Sequence, residues 1–176
     1  FVQVSTPLAY GLPKRIPLDE TTAAGPHASD YARSKYLGDQ AGWQLYESAG
    51  LPHTIVHLAA VICAGDDNAT MEVRRAVEGN LPALVGADTT YTYLYVRDAA
   101  DAIARALQKK DAVGRSYLIG NQRATTREYF NTIGELAGVK IPSLNIPEAW
   151  LFPVSRGMEL AARITGKRPV LPVDVL

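Results

Sequence analysis

A strand, a long helix and a second strand in succession constrain this chain more than any other feature. Phe1-Val2-Gln3-Val4 reads as a short buried strand, and Thr54-Ile55-Val56-His57-Leu58 as another. Between them Ser29 and Asp30 are good helix caps, Leu37, Ala41, Leu45 and Ala49 repeat every four residues, and Gly50 stops the run. The alternation then continues. A loop at residues 64–69 leads to a helix over residues 71–79 and a short strand at Leu84 and Val85. Tyr91-Thr92-Tyr93-Leu94-Tyr95-Val96 alternates as a strand does, and Asp98 is expected to cap a helix carrying Ala99, Ile103, Ala106 and Leu107. Residues 116–119 form a further strand, and Thr125-Thr126-Arg127-Glu128 is a capping-box start for a helix that reaches Ala137. This order defines an α/β protein.

Chemistry enters with Tyr31-Ala32-Arg33-Ser34-Lys35. A tyrosine and a lysine four residues apart on a helix share one face. A phenol with a pKa of about 10 is a poor base at neutral pH, and a neighbouring ammonium stabilises its phenolate. Tyr10 and Lys14 have the same spacing, but Gly11 and Pro13 between them make that stretch a turn. Upstream, the strand at residues 1–4 runs into Ser5 and Thr6, two hydroxyls at the C-terminal end of a strand, where open parallel sheets bind ligands. A hydroxyl there can hold a substrate oxygen while Tyr31 exchanges its proton.

With these blocks in this order the sequence resembles the extended short-chain dehydrogenase/reductase superfamily, which includes sugar-nucleotide epimerases and dehydratases, dihydroflavonol-type reductases and 3β-hydroxysteroid dehydrogenases. Val4-Ser5-Thr6-Pro7-Leu8-Ala9-Tyr10-Gly11 is similar to the family's V-S-S-x-x-x-Y-G segment, Pro17-Leu18-Asp19-Glu20 to its P-x-x-E loop, and Tyr31-Ala32-Arg33-Ser34-Lys35 to Y-x-x-S-K. Tyr95-Val96-Arg97-Asp98-Ala99-Ala100 resembles a later h-V-x-D-x-A block. The resemblance implies the C-terminal part of a Rossmann-like doubly wound parallel sheet plus a small substrate-binding lobe. It implies one domain over residues 1–176, with sheet and catalytic residues in 1–120 and substrate-lobe helices in 121–176.

The resemblance also implies roles. Tyr31 would be the general acid/base, Lys35 would lower its pKa and hold the nicotinamide ribose, and Thr6 would orient the substrate oxygen; the other reading of Thr6 is a turn cap. The cofactor would be NAD or NADP, touched by Tyr31, Lys35, Leu58, Ala59 and Val61, with Ser5 and Ala60 towards the substrate. Where relatives carry R-P-x-N-V-Y-G-P, this chain has His57-Leu58-Ala59-Ala60-Val61-Ile62-Cys63-Ala64. Ala60 can neither donate nor accept as asparagine does, which tilts the substrate from sugar nucleotides towards flavonoid- or sterol-like alcohols and ketones. His57 reads as a satisfied strand histidine and His27 as a solvated loop residue.

The Gly-rich turn that holds the cofactor pyrophosphate in such enzymes is not in this sequence. The expectation is a truncated form, lacking roughly a hundred N-terminal residues of the doubly wound fold, in which nicotinamide nucleotides bind weakly or not at all. The strand at residues 1–4 would then be an apolar edge, covered by a second copy of the chain or by a separate N-terminal segment. A non-catalytic remnant or assembly module of the same fold is the alternative function.

Composition closes off other classes. Eighteen basic and eighteen acidic residues give zero formal charge, which offers no case for nucleic acid or an anionic membrane surface. One cysteine, Cys63, excludes an internal disulfide and any CxxC site, no metal-ligand set is read, and a reducing cytoplasm is expected. No apolar run is long enough to span a bilayer. Residues 147–165, rich in large apolar side chains, are expected to pack as the substrate lobe.

Overall fold

The computed structural model describes residues 1–147 and 149, so the expected substrate-lobe segment beyond Pro147 lies almost wholly outside the described residues. The chain divides into two compact units, residues 1–61 with 93–121 and residues 62–92 with 122–176.

The first unit is built on β1 (Val2–Ser5), β2 (Thr54–Leu58) and β6 (Arg115–Ile119), all parallel, in the order β1-β2-β6. Its register sets Ser5 opposite His57, and His57 opposite Leu118. β2 is central and buried along nearly its whole length, as a β-branched run covered on both faces should be. β1 is an edge of this sheet, with Val4 half-exposed. A 3-10 turn, Pro7–Tyr10, follows β1, where an irregular loop was expected, because Pro7 presets its first residue and Thr6 caps it.

The long helix α1 (Asp30–Ala49) connects β1 to β2 with the expected ends: the Ser29 hydroxyl accepts from Ala32 N, and Gly50 closes it in the left-handed conformation at φ 66°. Its inner face differs from the expected one. Ala32, Asp39 and Gly42 are buried, whereas Leu37 and Leu45 are 54% and 50% exposed. Close approach explains the choice. A Cβ on Gly42 would lie 2.3 Å from His53 Nε2 and 2.7 Å from Gln3 Oε1, so only glycine lets α1 sit this near the sheet.

The helix α3 (Val96–Gln108) packs on β1 and β2. It starts two residues before Asp98, with Tyr95 as a cap that makes no side-chain bond. Asp98 is therefore a first-turn residue, placed to favour the helix dipole, and its carboxylate accepts from Asn121 Nδ2 at 3.4 Å. Two short strands occupy the chain crossings between units, β3 (Ala60–Ile62), which the sequence pattern did not announce, and β5 (Thr90–Tyr95).

The second unit contains α2 (Asp67–Val77), β4 (Leu84–Val85), β7 (Gln122–Thr125), α4 (Thr126–Ala137) and β8 (Asn145–Ile146), with β4 and β8 parallel. Ala76, Leu84, Ala87 and Phe130 form its core. The capping box at α4 is complete: Thr125 Oγ1 accepts from Glu128 N at 3.1 Å, and Glu128 Oε2 accepts from Thr125 N at 2.7 Å. Those bonds hold the Glu128 carboxyl below its ordinary pKa.

Candidate active site

The residues singled out for chemistry gather at the C-terminal ends of β1 and β2 and on α1. Ser5 ends β1, is buried, and donates its hydroxyl to Asp39 Oδ2 at 2.9 Å. Thr6 follows with an extended backbone, and its Oγ1 accepts from Leu8 N at 3.4 Å, a long contact that leaves the hydroxyl proton uncommitted. Tyr31 lies in the first turn of α1 and is 46% exposed. Lys35 Nζ stands 5.8 Å from the centroid of the Tyr31 ring, within cation–π range, so the two side chains do share one helix face. α1 packs directly against the 3-10 turn that Thr6 opens.

The segment after β2 is laid out in the same way. Leu58 ends the strand half-buried, and Ala59 donates its N–H to Ile119 O at 2.9 Å. Ala60 is exposed and Val61 half-buried in β3. Ser5 and His57 are register partners, so Thr6 and Leu58 leave neighbouring strands side by side.

Beneath these residues lies a polar network that sequence reasoning did not find. Asp39 is buried, and its carboxylate accepts from Gln3 Nε2 at 2.7 Å, Ser5 Oγ at 2.9 Å and His57 Nε2 at 3.0 Å. His57 Nδ1 is 3.2 Å from Ser116 Oγ, which also bonds the Tyr10 hydroxyl. The expected satisfied histidine is thus satisfied by a partner 18 residues away, on a different element. One signal pointed to Asp39: it lies four residues beyond Lys35 and eight beyond Tyr31, on the same helix face.

The network forms one wall of a cavity of about 410 Å³, lined also by Tyr36, Trp43 and Glu20. Burial pushes the Tyr10 phenol above its ordinary pKa, the bond to Ser116 opposes this, and the Glu20 and Asp39 carboxylates add to the rise. His27, expected to be solvated, is half-buried: its Nε2 donates to Ala9 O at 3.0 Å and its ring lies 4.8 Å from that of Tyr36. His53 is fully buried between Phe1 and Trp43 with neither ring nitrogen bonded, and burial holds its pKa below the ordinary value.

A parallel sheet with helices packed on it defines a Rossmann-like α/β class of protein. The chain belongs to the NAD dependent epimerase/dehydratase family, whose model matches residues 1–120, in agreement with the resemblance to extended short-chain dehydrogenases/reductases. It is 30% identical over 179 residues to an uncharacterized protein, y4nG, of Sinorhizobium fredii, covering 100% of this chain and 43% of that protein. The crystal structure of gox2253 is similar with a TM-score of 0.77 and 28% identity, over 97% of this chain and 53% of that one. So is the dTDP-glucose 4,6-dehydratase of Bacillus anthracis in complex with NAD, with a TM-score of 0.72 and 28% identity over 83% of this chain and 49% of that one. The chain spans about half the length of these relatives. Among the described residues no helix is long and apolar enough to cross a membrane.

Proposed function

We propose that the protein is an NAD(P)-dependent oxidoreductase or epimerase/dehydratase acting on a small-molecule hydroxyl or carbonyl through Thr6, Tyr31 and Lys35. The observation that carries this reading is the Lys35 ammonium set 5.8 Å from the Tyr31 ring, on the helix that packs against the turn opened by Thr6. Family membership and the NAD-bound dehydratase among its structural neighbours support it. The chain's own residues fit a nicotinamide cofactor at one point: Lys35 has no carboxylate within ion-pair distance among the described residues, so its donors are free for ribose hydroxyls. NAD(P), when bound, supplies the redox step.

The protein's part is proton transfer and alignment. Tyr31 gives up or takes the substrate's hydroxyl proton, and Lys35 stabilises its phenolate while that proton is away. Thr6 donates its uncommitted hydroxyl proton to the substrate oxygen, holding it towards Tyr31. Leu58, Ala59 and Val61 flank the nicotinamide and Ala60 the substrate, while Ser5, expected to face the substrate, is buried with its hydroxyl given to Asp39. The small, exposed Ala60 favours an alcohol or ketone that needs no amide contact at that position.

The test is titration of the native-length protein with NADH and NADPH, followed by turnover of dTDP-glucose, UDP-glucose and a panel of apolar ketones, for wild type and Tyr31→Phe. The expected result is nucleotide binding in both and turnover in wild type alone, because the substitution keeps the ring and removes the exchangeable proton. Turnover retained in Tyr31→Phe rejects the mechanism. A wild-type chain that self-associates and ignores both nucleotides favours an assembly module instead.

A further inference from the structure

We infer that Asp39 is a positioning residue for the Tyr31/Lys35 pair, fixing α1 on β1 and β2 through a hydrogen-bond chain that can run in one direction, from Ser116 through His57 to Asp39. This rests on the acid/base reading of Tyr31 and Lys35 given above.

Donor and acceptor accounting sets the direction. An ionised carboxylate accepts only, so the three groups on Asp39 must all donate, and His57 Nε2 carries a proton. In the neutral ring Nδ1 is then an acceptor and takes the Ser116 hydroxyl proton across 3.2 Å. That commits the one hydrogen of Ser116 to His57. Every member has one role, and the ring tautomer follows from it.

The same accounting explains how the helix is held. The donors come from two strands: Gln3 and Ser5 on β1, directly before Thr6, and His57 on β2, directly before Leu58. The acceptor comes from α1, on the face that also carries Tyr31 and Lys35. A helix rises about 1.5 Å per residue, so a slip of one residue would carry the Asp39 contacts of 2.7, 2.9 and 3.0 Å out of hydrogen-bonding range. The flanking Gly42 brings the two layers close enough for these short bonds. One buried carboxylate therefore registers the elements that carry Tyr31, Thr6 and Leu58.

The experiment compares wild type, Asp39→Asn and Asp39→Glu. Asparagine keeps the shape but turns an amide NH2 towards groups that are already donors; glutamate keeps the charge and the acceptors. In wild type, ¹⁵N NMR is expected to find His57 in the Nε2–H tautomer. Asp39→Asn, at a temperature where its helix content is intact, should exchange amide hydrogens over residues 3–6 and 31–36 about tenfold faster, the factor lost with one charge-assisted hydrogen bond. Residues 126–137 should be unaffected. Its kcat should fall about a hundredfold, as a misplacement of about 1 Å produces, with the cofactor KM little changed, and Asp39→Glu should recover much of both losses.

Unchanged exchange over residues 31–36 in folded Asp39→Asn, or wild-type His57 in the Nδ1–H tautomer, overturns the inference. A wild-type protein without turnover rejects the acid/base reading, while the tautomer and exchange still decide the role of Asp39. Should Asp39→Asn not fold, the wild-type tautomer and the exchange of Asp39→Glu decide it.

Discussion

His57 Nε2 lies 3.0 Å from Asp39 Oδ2 with both side chains buried, and this contact joins the central strand to the long helix. Removing the carboxylate would leave the Gln3, Ser5 and His57 donors without their common acceptor. Asp39→Ala is expected to lower unfolding stability by about 1–3 kcal/mol, the usual cost of leaving buried donors without an acceptor. Urea unfolding checks it; a loss under about 1 kcal/mol would mean that water reaches these donors.

Gly42→Ala is a test of how closely α1 approaches the sheet. Alanine favours a helix by about 1 kcal/mol over glycine, yet its Cβ would collide with the His53 ring, a fully buried group with no room to retreat. Overpacking of this kind costs about 1–3 kcal/mol and is expected to win. A rise in the thermal midpoint of Gly42→Ala would show that the helix can move away.

His53 makes stability fall in acid. Its folded pKa is lowered from the ordinary histidine value of 6.5 by burial, so the unfolded chain takes up a proton where the folded one does not. The group is neutral in both states above that value and costs nothing there. As pH falls below 6.5 stability is lost, until the folded-state pKa is reached. Urea midpoints between pH 7.5 and 5.5 should therefore slope less in His53→Phe than in wild type. Equal slopes would assign the acid sensitivity to other groups.

Thr125→Ala removes the capping box of α4. The loss is expected to be about 1 kcal/mol, typical of an N-cap hydroxyl, and amide exchange should rise first at the N-terminal turn of that helix. Glu128 adds a pH signature. Its lowered carboxyl pKa gives a contribution present above the ordinary carboxylate range and lost as pH falls through the folded value. A variant as protected as wild type in that turn would assign the helix start to packing by Phe130.

Local rules made much of the fold legible. Ser29, Gly50, Thr125 and Glu128 act at helix ends through bonds that span a few residues, so their sequence neighbourhood contains the whole interaction. The apolar run at residues 54–58 is a central strand for the same reason of local pattern. The inner face of α1 was not legible, because the repeat of Leu37, Ala41, Leu45 and Ala49 competes with a closeness of approach that depends on Gln3 and His53, far away in the chain. The short strands β3, β7 and β8 depend on distant segments too. At the candidate site, the Tyr31/Lys35 pair is a helix spacing and could be read directly. The Asp39 network needs three strands and a helix to meet before its partners exist.

The parallel order β1-β2-β6 has a consequence for how the chain acquires its structure. Its strands pair Val2 with Thr54 and Thr54 with Arg115, so each ladder closes a loop of some fifty to sixty residues before any strand bond forms. Such non-local pairing is slow, and a nascent chain cannot complete the first unit until residues 115–119 have left the ribosome. Until then β2 has one open side, and the interval between making β2 and making β6 is when this protein is most exposed to mispairing.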